Sequence, residues 1–462
     1  MAKKKKQKKK KDEIKRLDIP PIAIFDNIIF SKKECWAYYK VSTVPFDFMS
    51  TEAQIDYGKR TTMALSALCQ SNTQKTDCHV LITSTPFDID SWVEQIHTIH
   101  EKWIGDVDKS YIKFLESQSN NLYYYDYSKR VTYLGVKLFN RAAIETGNLN
   151  VFEYGFKDAA TSVKKSISRI MSLEDEIVLK DEEKRAINAE KDVHKILFHS
   201  SLRVTKPSSE ELLLSIKKLF YPAMKTPYLE VDHGTRIGFN DIVIETGGVI
   251  NQQLRCLKFN QVIDNEEVEG YRATLSFSRF PKDRMGIPSD VDPFLYYPTK
   301  VQLPYTLSSR FTLLPNEAMK KELGKKKKDM ADEAQNAGKA DVAPTIAMQD
   351  AMHDIEELEA LIHFDRLAWV QGSYRVTIEA QTYESLSEQI TSLKQMYSVN
   401  DIVLTWTSGD QLPLFLEEIP GGHLRMKTFS QTTNLPMVST SGFSYGSESG
   451  DPIDIKFKGT KK

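Results

Sequence analysis

Ile24-Phe-Asp-Asn-Ile-Ile-Phe-Ser-Lys-Lys-Glu-Cys-Trp-Ala-Tyr-Tyr-Lys-Val41 holds two runs rich in β-branched and aromatic residues, separated by four polar ones. That pattern predicts a hairpin: a strand over Ile24–Phe30, a turn at Ser31-Lys-Lys-Glu34, and a partner strand over Trp36–Val41. Working outward, Ser50 is a candidate N-cap. Ile55, Met63, Leu65 and Leu68 then form the apolar stripe of a helix from Thr51 to Ser71. Cys78–Thr83 reads as a strand, Asp90 as the cap of a helix carrying Trp92, Val93, Ile96 and Ile99, and Val131–Leu138 as another strand. The order β-β-α-β-α-β is the rhythm of a small α+β sandwich.

The same reading continues along the chain. Residues 150–198 are charged and helical, as in an exposed helical hairpin, and are followed by a strand at Leu202–Thr205. Ser208 caps a helix over Glu210–Phe220. Asp241–Glu245, Gln253–Phe259, Tyr271–Ser278 and Leu307–Leu313 read as strands, and Tyr271–Ser278 alternates cleanly. A polar helix over Asn316–Asn336 carries the basic run Lys325–Lys328, and Ile346–Phe364 forms its partner. After it come a strand over 369–381, a helix over Ser385–Tyr397, a strand over Asp401–Trp406, and a short apolar helix, Gln411–Glu418, closed by Ile419-Pro-Gly-Gly422. The expected architecture is α+β, with two β-rich lobes that each carry an inserted long helical hairpin. The segments are a basic tail over 1–19, a first lobe over 20–205 with its hairpin at about 150–198, and a second over 206–420 with its hairpin at about 315–365. Residues 421–462 are rich in Gly, Ser and Thr and read as a strand-poor connector toward a further domain.

Composition narrows function. The 62 basic and 63 acidic residues nearly cancel, so no whole-protein field favours nucleic acid. The basic charge is concentrated in Lys3, Lys4, Lys5, Lys6, Lys8, Lys9, Lys10 and Lys11, a block too poor in apolar residues to order itself. It is suited to anionic lipid headgroups, at about 1 kcal/mol per lysine near the surface, and otherwise to solubility or to phosphate contacts with nucleic acid. No apolar stretch is long enough to span a bilayer, and no apolar core follows the lysines as in a secretory signal. Cys35, Cys69, Cys78 and Cys256 are widely spread without a C-x-x-C pair, which predicts reduced thiols and no structural zinc.

The candidate motifs for chemistry are sparse. A phosphate-binding loop needs G-x-x-x-x-G-K-[ST], and Gly58-Lys59, Gly324-Lys325 and Gly338-Lys339 all lack the upstream glycine and the hydroxyl residue. Gly442-Phe-Ser444-Tyr-Gly446 matches the nucleophile-elbow spacing, but its flanks are turn-like and no histidine follows His423. His97 and His100 lie one helical turn apart beside Glu101, without a visible third metal ligand. Asp88/Asp90 and Asp290/Asp292 suit caps and turns. A hydrolase working through Ser444 or through His97 and His100, or a nucleic-acid-binding accessory factor, are the alternative functions.

The opening Ile24–Val41 hairpin resembles the first hairpin of VirB4-type conjugation ATPases of Gram-positive mobile elements. Leu386–Gly422, with its Leu414-Phe-Leu-Glu-Glu-Ile-Pro-Gly-Gly422 turn, resembles their stretch ahead of the motor. Ser439–Gly446 and Gly450–Gly459 look like the family's strand pair leading into the nucleotide-binding domain. The resemblance implies the docking and assembly half of a type IV secretion ATPase, peripheral at the inner face of the membrane. Its partners would be other secretion subunits, inner-face membrane proteins and anionic lipid, and it would oligomerise on assembly. The Walker motifs would follow Lys462, so the resemblance implies no catalytic, cofactor-binding or metal-binding residue in this chain, with ATP and magnesium expected only for the motor.

Overall fold

Asp26 takes a left-handed backbone, φ 48°, which a short polar side chain tolerates. It reverses the chain between β1 (Pro21–Phe25) and β2 (Ile28–Ser31), which pair antiparallel. Ile24–Phe30 is therefore two strands, where the apolar run predicted one. The turn at Lys32-Lys33 lies inside the expected one, and β3 (Glu34–Val41) returns beside β2.

The computed structural model describes residues 17–42, 44, 49–70, 75–86, 93, 96–98, 109–124, 128–141, 180–200, 202–227, 229, 234–280, 305–339, 353, 355–356 and 369–444. The first half adds α1 (Thr51–Gln70), β4 (Thr76–Pro86), α2 (Lys109–Tyr124), β5 (Ser128–Asn140), α3 (Lys180–Phe198), β6 (Val204–Thr205) and α4 (Ser209–Lys218). Next come β7 (Arg236–Ile237), α5 (Phe239–Glu245), β8 (Val249–Gln252), β9 (Leu257–Ile263), β10 (Glu266–Arg279), β11 (Tyr305–Leu314) and α6 (Asn316–Lys339). The last are β12 (Trp369–Ala380), α7 (Tyr383–Ser398), β13 (Val403–Trp406), α8 (Gln411–Glu418), β14 (Gln431–Asn434) and α9 (Leu435–Ser439).

The fold is α+β. All 14 strands among the described residues lie in one sheet of order β7-β1-β2-β3-β5-β4-β11-β12-β10-β9-β8, with β13 beside β10, β14 beside β12 and β6 beside β3. The two β-rich stretches of the sequence thus share a sheet. They join where β4 pairs with β11, from Leu307 opposite Ile82 to Leu313 opposite Thr76. Every pairing is antiparallel. Of the two expected helical hairpins, helices α3 and α6 are described; 142–179 and most of 340–368, where the other arms were expected, lie outside the described residues.

One face of the sheet is apolar. Ala37, Tyr39, Val80, Leu134, Leu307, Phe311, Val376 and Leu275 are buried there against α1, α7 and α9. The apolar positions of α7, Leu386, Ile390, Leu393 and Tyr397, recur at helical spacing and are all buried. Each such side chain stabilises by about 1.5–3 kcal/mol relative to exposure. Helix α4 begins at a capping box: Ser208 Oγ accepts from Glu211 N (3.1 Å) and Glu211 Oε2 accepts from Ser208 N (3.0 Å).

Three expectations are corrected. Asp241–Glu245 is the C-terminal part of helix α5, despite its Ile-Val-Ile run; Asp241 Oδ2 accepts from Gly238 N (3.0 Å) and seats the first turn. Leu17 and Ile19, placed in the basic tail, pack on the core beside Ile24 and Phe220. Residues 421–444 are no loose connector. Strand β14 pairs with Trp369–Gly372 of β12, Asn434 Oδ1 caps α9 by accepting from Met437 N (2.9 Å), and Leu435, Val438 and Phe443 enter the main core. Residues 445–462 lie outside the described residues.

Candidate functional site

The second face of the sheet carries the unusual chemistry. Period-two alternation puts Tyr38, His79, Ser308, Arg310, Ser373, Arg375, Thr377, Glu379, Arg272 and Thr274, from five strands, on one side of the sheet. Alternating strands ordinarily turn their polar half to water. Here that half is buried: Arg272 is 1% exposed, His79 0% and Arg375 4%. Helix α8 and the strap that follows it, residues 419–430, cover this face.

The strap is held by charge and backbone together. Arg272 lies between Glu379 (2.7 Å) and Glu418, and its Nη1 also donates to Leu219 O (3.1 Å). Thr377 Oγ1 donates to Glu418 Oε2 (3.0 Å). Arg310 donates from Nε to Glu417 O (2.5 Å) and from Nη2 to Ile419 O (3.1 Å), and its guanidinium sits over the Trp36 ring. Arg375 Nη2 reaches Met426 O (3.1 Å) and Thr428 O (3.3 Å). Glu417 Oε1 accepts from the backbone N–H groups of Arg425 and Met426. Burial pushes the Glu417 and Glu418 carboxyls above their usual range, against the pull of the arginines.

At the turn of the strap, Gly421 N donates to Tyr38 Oη (2.8 Å) and Ser31 Oγ donates to Gly421 O (2.5 Å). Tyr38 Oη then meets His79 Nδ1 (3.0 Å), and His79 Nε2 meets Ser308 Oγ (2.9 Å). These contacts are satisfied with Tyr38 donating to Nδ1 and the neutral imidazole donating from Nε2. Burial, and secondarily Arg310, holds the His79 pKa well below its ordinary value. The sign follows: the unfolded chain takes up a proton below pH about 6.5 that the folded one refuses. Stability is full above that pH and falls below it by up to about 1.4 kcal/mol per pH unit until the folded pKa is reached. Urea midpoints measured from pH 8 to pH 5 are expected to fall less steeply in His79→Gln than in the unmodified protein.

Beside the strap opens a cavity of about 610 Å³, lined by Lys33, Trp36, Asp77, Arg310, His423 and Lys427 among others. A smaller one of about 210 Å³ adjoins it and shares Lys33, Glu34 and His423. The acids here are engaged: Asp77 with Lys137 and with Thr312 Oγ1 (2.6 Å), Glu34 with Trp36 Nε1 (3.0 Å), and Asp18 with Lys32. Burial and the cations Arg425, Lys33 and Arg310 keep His423 below the usual imidazole range.

The residues singled out in the sequence lie elsewhere. Ser444 is fully buried beside Tyr57, and its carbonyl accepts from Val44 N (3.1 Å). A serine nucleophile needs substrate access and a base, and this hydroxyl is closed off from substrate. Ser444→Ala is accordingly expected to leave folding intact and to change no esterase or amidase rate across a substrate panel. His97 is half-buried, and His100 lies outside the described residues, as do Lys3–Lys11, Asp88, Asp90, Asp290 and Asp292. No group of three potential metal ligands occurs among the described residues. All four cysteines are free and buried, and burial raises each thiol, Cys69 to about 11. No described helix is long and apolar enough to cross a membrane.

No family model matches the chain, and no curated protein matches it.

Proposed function

We propose that this chain is the docking and assembly part of a VirB4-like type IV secretion ATPase, peripheral at the inner face of the cell membrane and without ATP turnover of its own. The observation that carries the reading is the placement of Leu414–Gly422, part of the Leu386–Gly422 stretch that resembles the family's segment ahead of the motor. Its two glutamates and its Pro-Gly-Gly turn are fastened through Arg272, Arg310 and Tyr38 to strands from both halves of the chain. A segment that leads toward a motor in the family is here fastened onto one face of the sheet, which supports a role as a fixed assembly platform. The buried arginines and glutamates of this face bond to one another and to α8 and the strap, a structural use that supports the non-catalytic reading. Lys3–Lys11 would hold the chain near anionic headgroups, and other secretion subunits would be its partners.

Purified chain with magnesium and ATP is expected to release no phosphate above a protein-free control. Clear turnover by the chain alone would overturn the non-catalytic reading.

A further inference from the structure

The cavity beside the strap is a site with uncompensated positive charge. Lys33 comes from the β2–β3 turn, Arg310 from β11, and Arg425 and Lys427 from the strap; three of these four line the larger cavity, and Arg425 lines the smaller one. The acids of the two cavities do not balance them. Asp77 is taken by Lys137 and Thr312, and Asp18 by Lys32. Glu34 binds the Trp36 indole and lies 3.6 Å from Lys137. Lys33, Arg425 and Lys427 are exposed and make no ion pair with a described acid. Arg310 is 6% exposed and donates to the backbone carbonyls of Glu417 in α8 and Ile419 in the strap, and toward the Tyr38 phenol. The Glu417 carboxyl feels both Arg375 and Arg310, Arg375 the more strongly, and makes no ion pair with Arg310 within 4 Å.

A cavity of about 610 Å³ is of the size that encloses a small molecule. Cations from three separate elements converge on it, with hydroxyl and amide groups from Ser430 and Gln371 on the wall. Phosphate oxygens are the acceptors that such a set of lysine and arginine donors matches best. We propose that this cleft binds a phosphate-bearing anion, carried either by a soluble molecule or by a phospholipid headgroup. Binding would tie the strap to the β2–β3 turn and to β11 at once, because the ligand would bridge cations from all three. The inference is independent of the secretion reading and stands or falls on the cleft alone.

The test uses the full chain and two probes. Inorganic pyrophosphate is titrated by calorimetry at low salt, and vesicles of phosphatidylcholine with and without phosphatidylglycerol are assayed by flotation. The variant is Lys33→Glu with Lys427→Glu, both exposed and therefore compatible with folding, which thermal melting checks. For a soluble phosphate ligand, pyrophosphate binds and the double variant weakens it at least about tenfold, while Lys33→Arg keeps it. For a headgroup, flotation with phosphatidylglycerol falls in the double variant and is competed by pyrophosphate. Absence of binding to both probes, or binding that the charge reversals leave unchanged, overturns the proposal.

Discussion

Arg272→Ala is expected to destabilise the fold by about 3–5 kcal/mol, the cost of leaving buried carboxylates without their partner. Arg272 is 1% exposed and touches four elements of the structure: its own strand β10, Glu379 on β12, Glu418 on α8, and the carbonyl of Leu219 after α4. Glu379 and Glu418 are 6% and 1% exposed at the side chain, so water cannot replace the guanidinium. The guanidinium also sits over the Phe415 ring, 5.5 Å from its centroid. Its removal therefore costs packing as well as charge. Glu418→Gln keeps the volume and one acceptor, and should cost distinctly less. Urea unfolding of the three proteins at pH 7 checks this. Equal midpoints for Arg272→Ala and the unmodified protein would show that the network does not hold α8 on the sheet.

Gly421→Ala is the second large effect, at about 3 kcal/mol. Gly421 has φ +80°, and a Cβ there would stand 2.7 Å from both Ile29 Cγ2 and Ser31 Oγ. Backbone strain contributes about 1–3 kcal/mol and overpacking about 1–3 kcal/mol. Gly409 separates the two causes, because it has φ +86° with nothing within 4 Å of its Cβ position. Gly409→Ala should cost only about 1 kcal/mol, the strain alone. If both variants lose the same stability in urea, the close seating of the strap on β2 contributes nothing.

The sequence shows some of this fold directly and hides the rest for physical reasons. Helix α8 matches its predicted bounds, Gln411–Glu418, because an apolar run ending at Ile-Pro-Gly-Gly has a definite stop. Ser208 is a cap because Glu211 stands three residues on. The turn at Asp26-Asn27 was hidden by the isoleucines on either side, and Ile242-Val-Ile244 looks like a strand because β-branching outweighs one capping aspartate in a short window. Strand β14, Gln-Thr-Thr-Asn, carries no hydrophobic signal at all; its ladder to β12 is made by backbone groups, which every sequence possesses. The β4–β11 junction pairs residues more than two hundred positions apart, beyond the reach of any local pattern.

The candidate site shows the same division. The alternation in Tyr271–Ser278 is plain, yet nothing local says that its polar half faces a second layer and not water. The signal that could have found the site is the pairing of Arg272, Arg310 and Arg375 in strand positions with Glu417-Glu418 at the end of an apolar helix. Charges placed where strands should be buried need partners, and those partners lie in the one helix whose bounds were legible. The cleft itself depends on the strap's path over β11, which only the tertiary fold determines.

The central claim is that this chain works by assembling with a secretion apparatus. The most direct measurement is purification of the tagged full chain from detergent-solubilised membranes of cells that also express type IV secretion-channel subunits, with the bound proteins identified by mass spectrometry. The account predicts recovery of secretion-channel subunits at near-stoichiometric amounts, lost when the strap is loosened by Gly421→Ala. Recovery of the chain alone from those membranes, with the channel subunits present but unbound, would contradict it.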